Sequence, residues 1–426
     1  MLKTFEKFNK LFALIIAKVY HTEGVQKWAQ NFVFNWFNMS QKSRQKIRHS
    51  LTPILWTSLL FCFTNFALSL YLYVESQNHE LEVLEKYLGN VTQNLSVNFL
   101  DIGQGDSIFI NTPTGNSLLI DSGPAGGKAL GQLSSAKNFF DKKIDMVLIT
   151  HTDSDHIGSM KDVVKKYNAQ SFAESGVTSG TKIYDSLKDF ILSKNIQQIE
   201  LIRGMKIILE QGGKTMHIDF QDSQNMPDIY FEVLFPTFLY QIENYEKCMG
   251  VSMESDFRNK LFRTCKKFLK LETNENSIVG RLVYGSTTFM LTGDAPIEVE
   301  KYIVEQDKRV RAHISYATPS LTSVSSIKSN VLKLGHHGSR TSTSDIFLEY
   351  VQPEFAVISS GIKNRYGHPH SEVLDRLEKY FSTTSLIKNS QNYLSSHVLR
   401  TDEHGTIIFE SDGSNLQVFG QSVNIQ

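Results

Sequence analysis

Six consecutive residues, His151-Thr152-Asp153-Ser154-Asp155-His156, constrain this chain more than any other stretch of it. They carry four side chains able to bind a metal, and they directly follow KIDMVLIT, an apolar run of the kind that forms a buried strand. Folds of the α/β type build their sites at the carboxyl ends of strands. A lone His or Asp there carries little information, and two charged residues suit a solvated loop. Four ligand side chains in six positions, followed by Ile-Gly, predict a metal-binding loop.

The flanking sequence predicts closely spaced strands from Ser96 onward. VNFLDIG, DSIFINT and SLLIDSG are short apolar segments, and Pro113-Thr114-Gly115-Asn116 joins the last two as a hairpin turn. Near the end, GTIIFES and LQVFG flank Asp412-Gly413 and predict a closing hairpin. Residues 170–270 are less legible. YDSLKDFILSK reads as helix, HIDF and YFEVLF as strands, and FRNKLFRTCKKFLKL either as a contact to an anionic substrate or as an amphipathic helix with a solvated basic face, the second being preferred.

Charge is unevenly distributed. The chain has 426 residues with 44 basic and 44 acidic ones, yet residues 1–50 hold nine Lys/Arg against two Asp/Glu. Leu51 to Val74 has no charged residue, which leaves 35 basic and 42 acidic residues for 75–426. The larger part therefore lacks the basic excess of a bulk polyanion binder. The uncharged run would extend about 36 Å as a helix, enough for a ~30 Å hydrocarbon core. Lys42, Arg44, Lys46 and Arg48 precede it and acidic residues follow, so the positive-inside rule predicts a cytoplasmic N-terminus and an extracytoplasmic remainder. The expected organisation is a cytoplasmic or interfacial segment 1–50, a single transmembrane helix 51–74, a polar stalk 75–94 and one large domain 95–426 with an insert at about 170–270. Of three cysteines, Cys62 falls in the apolar run; Cys248 and Cys265 are either two free thiols, the preferred reading, or a pair.

The hexamer resembles the metal signature of the metallo-β-lactamase superfamily, which usually reads His-x-His-x-Asp-His. Leu291-Thr292-Gly293-Asp294 and Leu334-Gly335-His336-His337-Gly338-Ser339 resemble two later motifs of that superfamily. With Asp101–Asp106 (DIGQGD) and Ser359–Pro369 (SSGIKNRYGHP), they are similar to the hydrolase domain of ComEC-type DNA-uptake proteins. The resemblance covers about 95–160 and 271–420 and does not extend to the many-helix channel of full ComEC proteins. It implies an α/β (α+β) fold, a four-layer αβ/βα sandwich of two similar halves.

It also implies a centre for one or two divalent ions, Zn²⁺ or Mn²⁺. His151 and Asp153 would serve the first ion, Asp155 and His156 the second, and Asp294 both. His336, in preference to His337, would complete the second site. Asp155 and His368 are the expected catalytic residues, His368 as ligand or proton donor. His337, Lys333, Ser339 and Arg340 would hold substrate, and Asp121 and Asp106 would brace the site. Two departures matter: Asp153 stands where the superfamily has His, and Asn274-Glu275-Asn276-Ser277 stands where it places another. A first site poor in nitrogen is expected to favour Mn²⁺ over Zn²⁺ and to bind more weakly. The expected activity is phosphodiester hydrolysis on nucleic acid or a phosphate-containing envelope polymer, as a competence-type nuclease. The alternatives are lactamase-type C–N or C–O hydrolysis and a non-catalytic binding module.

Overall fold

A computed structural model describes residues 94–126, 128–137, 141–176, 181–212, 216–219, 228–236, 273–317, 327–383, 397–420 and 423–424. The chain divides into units Met1–Val83 and Leu84–Gln426, and all of the described residues belong to the second. The expected cytoplasmic segment, the transmembrane helix, the stalk up to residue 93, the three cysteines and the basic run 257–271 all lie outside the described residues. Among those described, no helix is long and apolar enough to cross a membrane.

The first half runs β1 (Leu95–Phe99), β2 (Ile108–Asn111), β3 (Ser117–Ile120), α1 (Lys128–Ala136), β4 (Ile144–Leu148), α2 (Ser154–Ile157), α3 (Met160–Tyr167), β5 (Ala169–Glu174), α4 (Lys182–Ser193) and β6 (Gln197–Glu200). The second runs β7 (Lys206–Glu210), β8 (His217–Asp219), β9 (Ile229–Phe235), β10 (Val279–Tyr284), β11 (Thr287–Leu291), α5 (Ile297–Ala317), β12 (Val331–Lys333), α6 (Asp345–Val351), β13 (Phe355–Ile358), α7 (Ser371–Thr383) and β14 (Val398–Arg400). The chain then returns through β15 (Ile407–Ser411), β16 (Leu416–Gly420) and β17 (Val423–Asn424). Two sheets result, ordered β17-β16-β15-β1-β2-β3-β4-β5-β6 and β14-β13-β12-β11-β10-β9-β7-β8.

Each sheet changes from antiparallel hairpins to parallel pairing partway across, at β3–β4 in the first and β11–β12 in the second. The two expected hairpins form, β2 with β3 and β15 with β16. Alternation decides which face each side chain takes. Ile108, Ile110, Leu118, Ile120, Met146 and Leu148 point between the sheets to meet Phe231, Leu282, Phe289, Val331 and Val357. Phe409 makes edge-on contacts with Phe99 at 6.0 Å, Phe289 at 5.8 Å and Phe355 at 5.6 Å, joining both sheets. Phe109, Leu119 and Val147 point the other way, onto α1, α3 and α4; Met290, Leu332 and Ile358 point onto α5, α6 and α7. The layers are therefore helix, sheet, sheet, helix, as expected.

Segment 170–235, set apart in sequence within the insert, supplies β5, β6, β7, β8 and β9 to the two sheets. Helix α4 forms where read: Thr181 accepts from the Tyr184 backbone N–H at 3.3 Å, and Tyr184, Leu187 and Ile191 recur on its buried face.

Candidate metal centre

The loops that leave β4, β11 and β12 converge on one side of the sandwich. His151 to His156 leave β4, with Asp153 at the N-cap position of α2; Asp294 follows β11; His336 and His337 follow β12. Close approach of these loops depends on Gly105, at φ 124°, where a Cβ would meet the Asp155 carbonyl oxygen at 2.1 Å. That turn packs on the metal loop by its backbone and donates Asp106 N–H to the same carbonyl at 3.3 Å.

Asp121 orders the first histidines. It is fully buried at the end of β3, with a left-handed φ of 57°. Its Oδ1 accepts from the Thr150 backbone N–H at 2.8 Å; its Oδ2 accepts from Thr150 Oγ1 at 2.7 Å and lies 2.8 Å from His156 Nδ1. Since Thr150 Oγ1 donates its proton to Asp121, it is left to accept from His151 Nδ1, 3.0 Å away. Both imidazoles are thus held by Nδ1, leaving Nε2 free, the arrangement that supporting hydrogen bonds give metal-binding histidines. His337 has the same arrangement, with Nδ1 3.0 Å from the Ser359 carbonyl.

The freed atoms meet at Asp294. His156 Nε2 lies 3.2 Å from Asp294 Oδ1, and His337 Nε2 lies 3.3 Å from Oδ2 and 3.4 Å from Asp155 Oδ2. His151 Nε2 lies 3.9 Å from Asp294 Oδ2 and 3.7 Å from Asp153 Oδ2. Nε2 of His151, His156 and His337 and Oδ1 of Asp294 are buried without a hydrogen-bond partner. Buried polar atoms are seldom left so, and four pointing inward fit a divalent cation. Asp106, His156, Asp294 and His337 each offer a ligand atom within 4.8 Å of the others. In that group Asp106 lies behind the rings, 3.9 Å from Nδ1 of His156 and 3.4 Å from Nδ1 of His337, and its other partner is the Lys333 ammonium. Asp155, on the Nε2 side, is the better placed carboxylate.

Electrostatics follow this geometry. Burial opposes charge on His156 and His337, but Asp294, with Asp121 beside the first and Asp106 beside the second, outweighs it and raises both rings well above the ordinary histidine range. Burial likewise works against the carboxylates. The imidazoles nevertheless hold Asp294 well below its usual range and Asp155 at about 2, and Lys333 with His337 holds Asp106 low. Burial and the neighbouring His337 and His336 lower His368 to about 4. At neutral pH that ring is uncharged, so it has no proton to deliver to a leaving group, and its low basicity suits a metal bond better than proton uptake.

The remaining expected site residues fall in distinct surroundings. His337, expected to hold substrate, is the buried ring of the cluster, whereas His336, expected to complete the second site, is 29% exposed and its Nε2 is 3.8 Å from Asp294 Oδ2. Lys333 is fully buried, ion-paired with Asp106 and hydrogen-bonded to the Gly293 carbonyl at 3.0 Å, so it presents no charge to a substrate. Ser339 is also buried, its hydroxyl 3.0 Å from Thr341 Oγ1. Arg340 pairs with Glu372 at 3.2 Å on the surface. His368 is buried, its ring centroid 5.4 Å from that of His336, and its Nδ1 lacks a partner.

Three contributors are not evident in the sequence. Thr150 relays Asp121 to His151, the Ser359 carbonyl orients His337, and buried Glu300 accepts the Thr343 and Ser344 backbone N–H groups. A hydroxyl directly before the metal loop is the one local signal for Thr150; the other two depend on contacts between distant segments.

Residues 100–179 match the family model of the Metallo-beta-lactamase superfamily, the segment that holds β2 to β5 and the His151–His156 loop. The likeness to ComEC-type competence proteins holds as well. The chain is 26% identical to ComE operon protein 3 of Bacillus subtilis over 378 residues, covering 84% of this chain and 36% of the relative. It is 27% identical to Competence protein ComA of Neisseria gonorrhoeae over 285 residues, covering 67% and 30%. It is 23% identical to Recombination protein 2 of Haemophilus influenzae over 291 residues, covering 67% and 27%. The chain thus spans about a third of the length of the curated relatives it matches.

Proposed function

We propose that this protein is a metal-dependent phosphodiester hydrolase, acting on nucleic acid or another phosphate-linked polymer from the outer side of a membrane. One observation carries the reading: the Nε2 atoms of His151, His156 and His337 and Oδ1 of Asp294 are buried without a hydrogen-bond partner, and each of the three nitrogens lies within 3.9 Å of an Asp294 carboxylate oxygen. His156, His337, Asp155 and Asp294 would hold one divalent ion, and His151, Asp153 and Asp294 a second. Such ions supply Lewis acidity at neutral pH and neutralise charge developing on a phosphoryl group. Asp155, ionised far below neutral pH, acts as a ligand and not as an acid. His368, uncharged and beside His336, would be a neutral ring next to the centre, open to a metal or substrate contact rather than to proton transfer. Lys333 neutralises Asp106 inside the protein and leaves substrate charge to the ions.

The phosphodiester assignment draws on the competence relatives, and the outward placement on the uncharged run 51–74 with its basic flank. The full chain in detergent, supplied with Mn²⁺ or Zn²⁺, is expected to cleave oligonucleotides or a simple aryl phosphodiester, and Asp294→Asn to abolish cleavage. Metal-loaded wild type that cleaves no phosphodiester would reject the substrate class. Protease added to intact cells should reach residues beyond 75; protection of that region would reject the topology.

A further inference from the structure

The first ion site, judged from sequence, lacks a nitrogen ligand: Asp153 takes one histidine position, and Asn274 lies where another is expected. His336 stands at that gap. Its ring adjoins Asn274, and its Nδ1 can donate to Thr341 Oγ1, 3.3 Å away, which leaves Nε2, 3.8 Å from Asp294 Oδ2, as the ligand atom. His151 Nε2 approaches the same oxygen from 3.9 Å, and Asp153 Oδ2 lies 3.7 Å from that nitrogen. Donors at ~2.1 Å around a tetrahedral ion are roughly 3.4 Å apart, so these separations need only a small contraction. Asn274 Oδ1, next to His336, is buried without a partner, a further oxygen left for the same ion.

The backbone bears on the same point independently. His336 (φ 48°, ψ 46°) and His337 (φ 56°, ψ 27°) are consecutive left-handed residues without being glycine. That conformation is unfavourable for residues with a Cβ and persists only where surrounding structure enforces it. Here the loop is pinned: Ser342 Oγ donates to the Gly335 carbonyl at 2.6 Å, His336 N–H to the Gly293 carbonyl at 3.2 Å, and Ser339 N–H to the His336 carbonyl at 2.8 Å. Two in succession bring neighbouring rings, with centroids 6.0 Å apart, both onto Oδ2 of Asp294.

We infer that the His336-His337 pair serves two ions, with His337 completing the second site and His336 supplying the missing nitrogen of the first, alongside His151, Asp153 and Asp294. This rests on the proposal that the centre binds divalent cations. Because His336 is the more exposed ring, the first site is the weaker one.

The test is Mn²⁺ stoichiometry of the full chain by equilibrium dialysis, read together with the electron paramagnetic resonance spectrum of the bound ions. Wild type is expected to take up two ions at saturation with a spin-coupled signal. His336→Gln and His336→Ala should retain one, with an isolated-ion spectrum, and His151→Gln should give the same result. First-site affinity should fall by more than the ~10–100-fold that loss of a supporting hydrogen bond costs. Circular dichroism melting of the two His336 variants checks that each is folded. A His336 variant that still binds two coupled ions with unchanged affinity overturns the assignment and leaves the hydrolase reading intact, as does a wild type that saturates at one. A wild type that binds none overturns both.

Discussion

Asp294 Oδ1 lies 3.2 Å from His156 Nε2, both buried and neither aligned for a hydrogen bond. The His156 ring is fixed from behind by Asp121 at 2.8 Å, and Asp294 sits on the turn after β11 of the other sheet. The pair therefore ties a loop of one sheet to a loop of its counterpart. Two ligand atoms that face each other across the sheets, each held from its own side, make the centre a product of the whole sandwich.

Asp121 should govern metal affinity without touching the ion. Asp121→Asn keeps one acceptor oxygen but replaces the other by an amide NH₂, which cannot accept from both Thr150 and His156. Metal affinity is expected to drop by about 10–100-fold, and stability by about 1–3 kcal/mol for the unsatisfied buried groups. Dialysis and urea unfolding read the two effects; unchanged affinity would remove Asp121 from the support of His156.

Lys333 should behave as a buried ion-pair partner. Lys333→Met leaves Asp106 uncompensated in the interior, and the expected loss is about 3–5 kcal/mol. Adding Asp106→Asn should recover part of it. If Lys333→Met instead stays as stable as wild type and only KM for substrate rises, the lysine contacts substrate after all.

His368 makes acid stability pH-dependent in a predictable sense. Its pKa falls from 6.5 when exposed to about 4 in the fold, so the unfolded chain binds the proton more readily between these values. Stability from this group is complete above pH 6.5 and declines as pH falls toward 4. His368→Gln should flatten that part of the metal-free stability profile relative to wild type. Identical slopes in the two proteins between pH 6.5 and 4 would contradict the shift.

Gly105→Ala should loosen the centre from a distance. The added Cβ would meet the Asp155 carbonyl oxygen at 2.1 Å, at a φ of 124° that disfavours side chains. The His151–His156 loop has to shift, and metal affinity should fall while the sheets persist by circular dichroism. Wild-type affinity in this variant would show that the turn does not set the loop's position.

Much of this arrangement is legible in sequence because it is local. The hairpin at Pro113–Asn116, strand β4 before the metal loop and the ligand types at His151, Asp155 and His156 follow from short-range pattern, and Asp294 from the resemblance of Leu291–Asp294 to a superfamily motif. The rest depends on distant contacts. That both His336 and His337 face Asp294, with His337 the more buried, is set by left-handed backbone and by the Ser359 carbonyl. Whether Lys333 is a surface charge or a buried one is set by Asp106, which lies in the other half of the chain. Strands β5 to β8 are harder to place because short segments such as Gln197–Glu200 carry little apolar alternation and take their position from the sheet edge.

If these loops form a metal centre held together by Asp294, the most direct measurement is the metal content of the purified full chain after incubation with Mn²⁺ or Zn²⁺. An Asp155→Ala, Asp294→Ala double variant is measured beside it. Stoichiometric metal in the wild type and its loss in the double variant are expected. A folded wild type that retains no metal, or a double variant that retains as much as wild type, would contradict a centre built on Asp294.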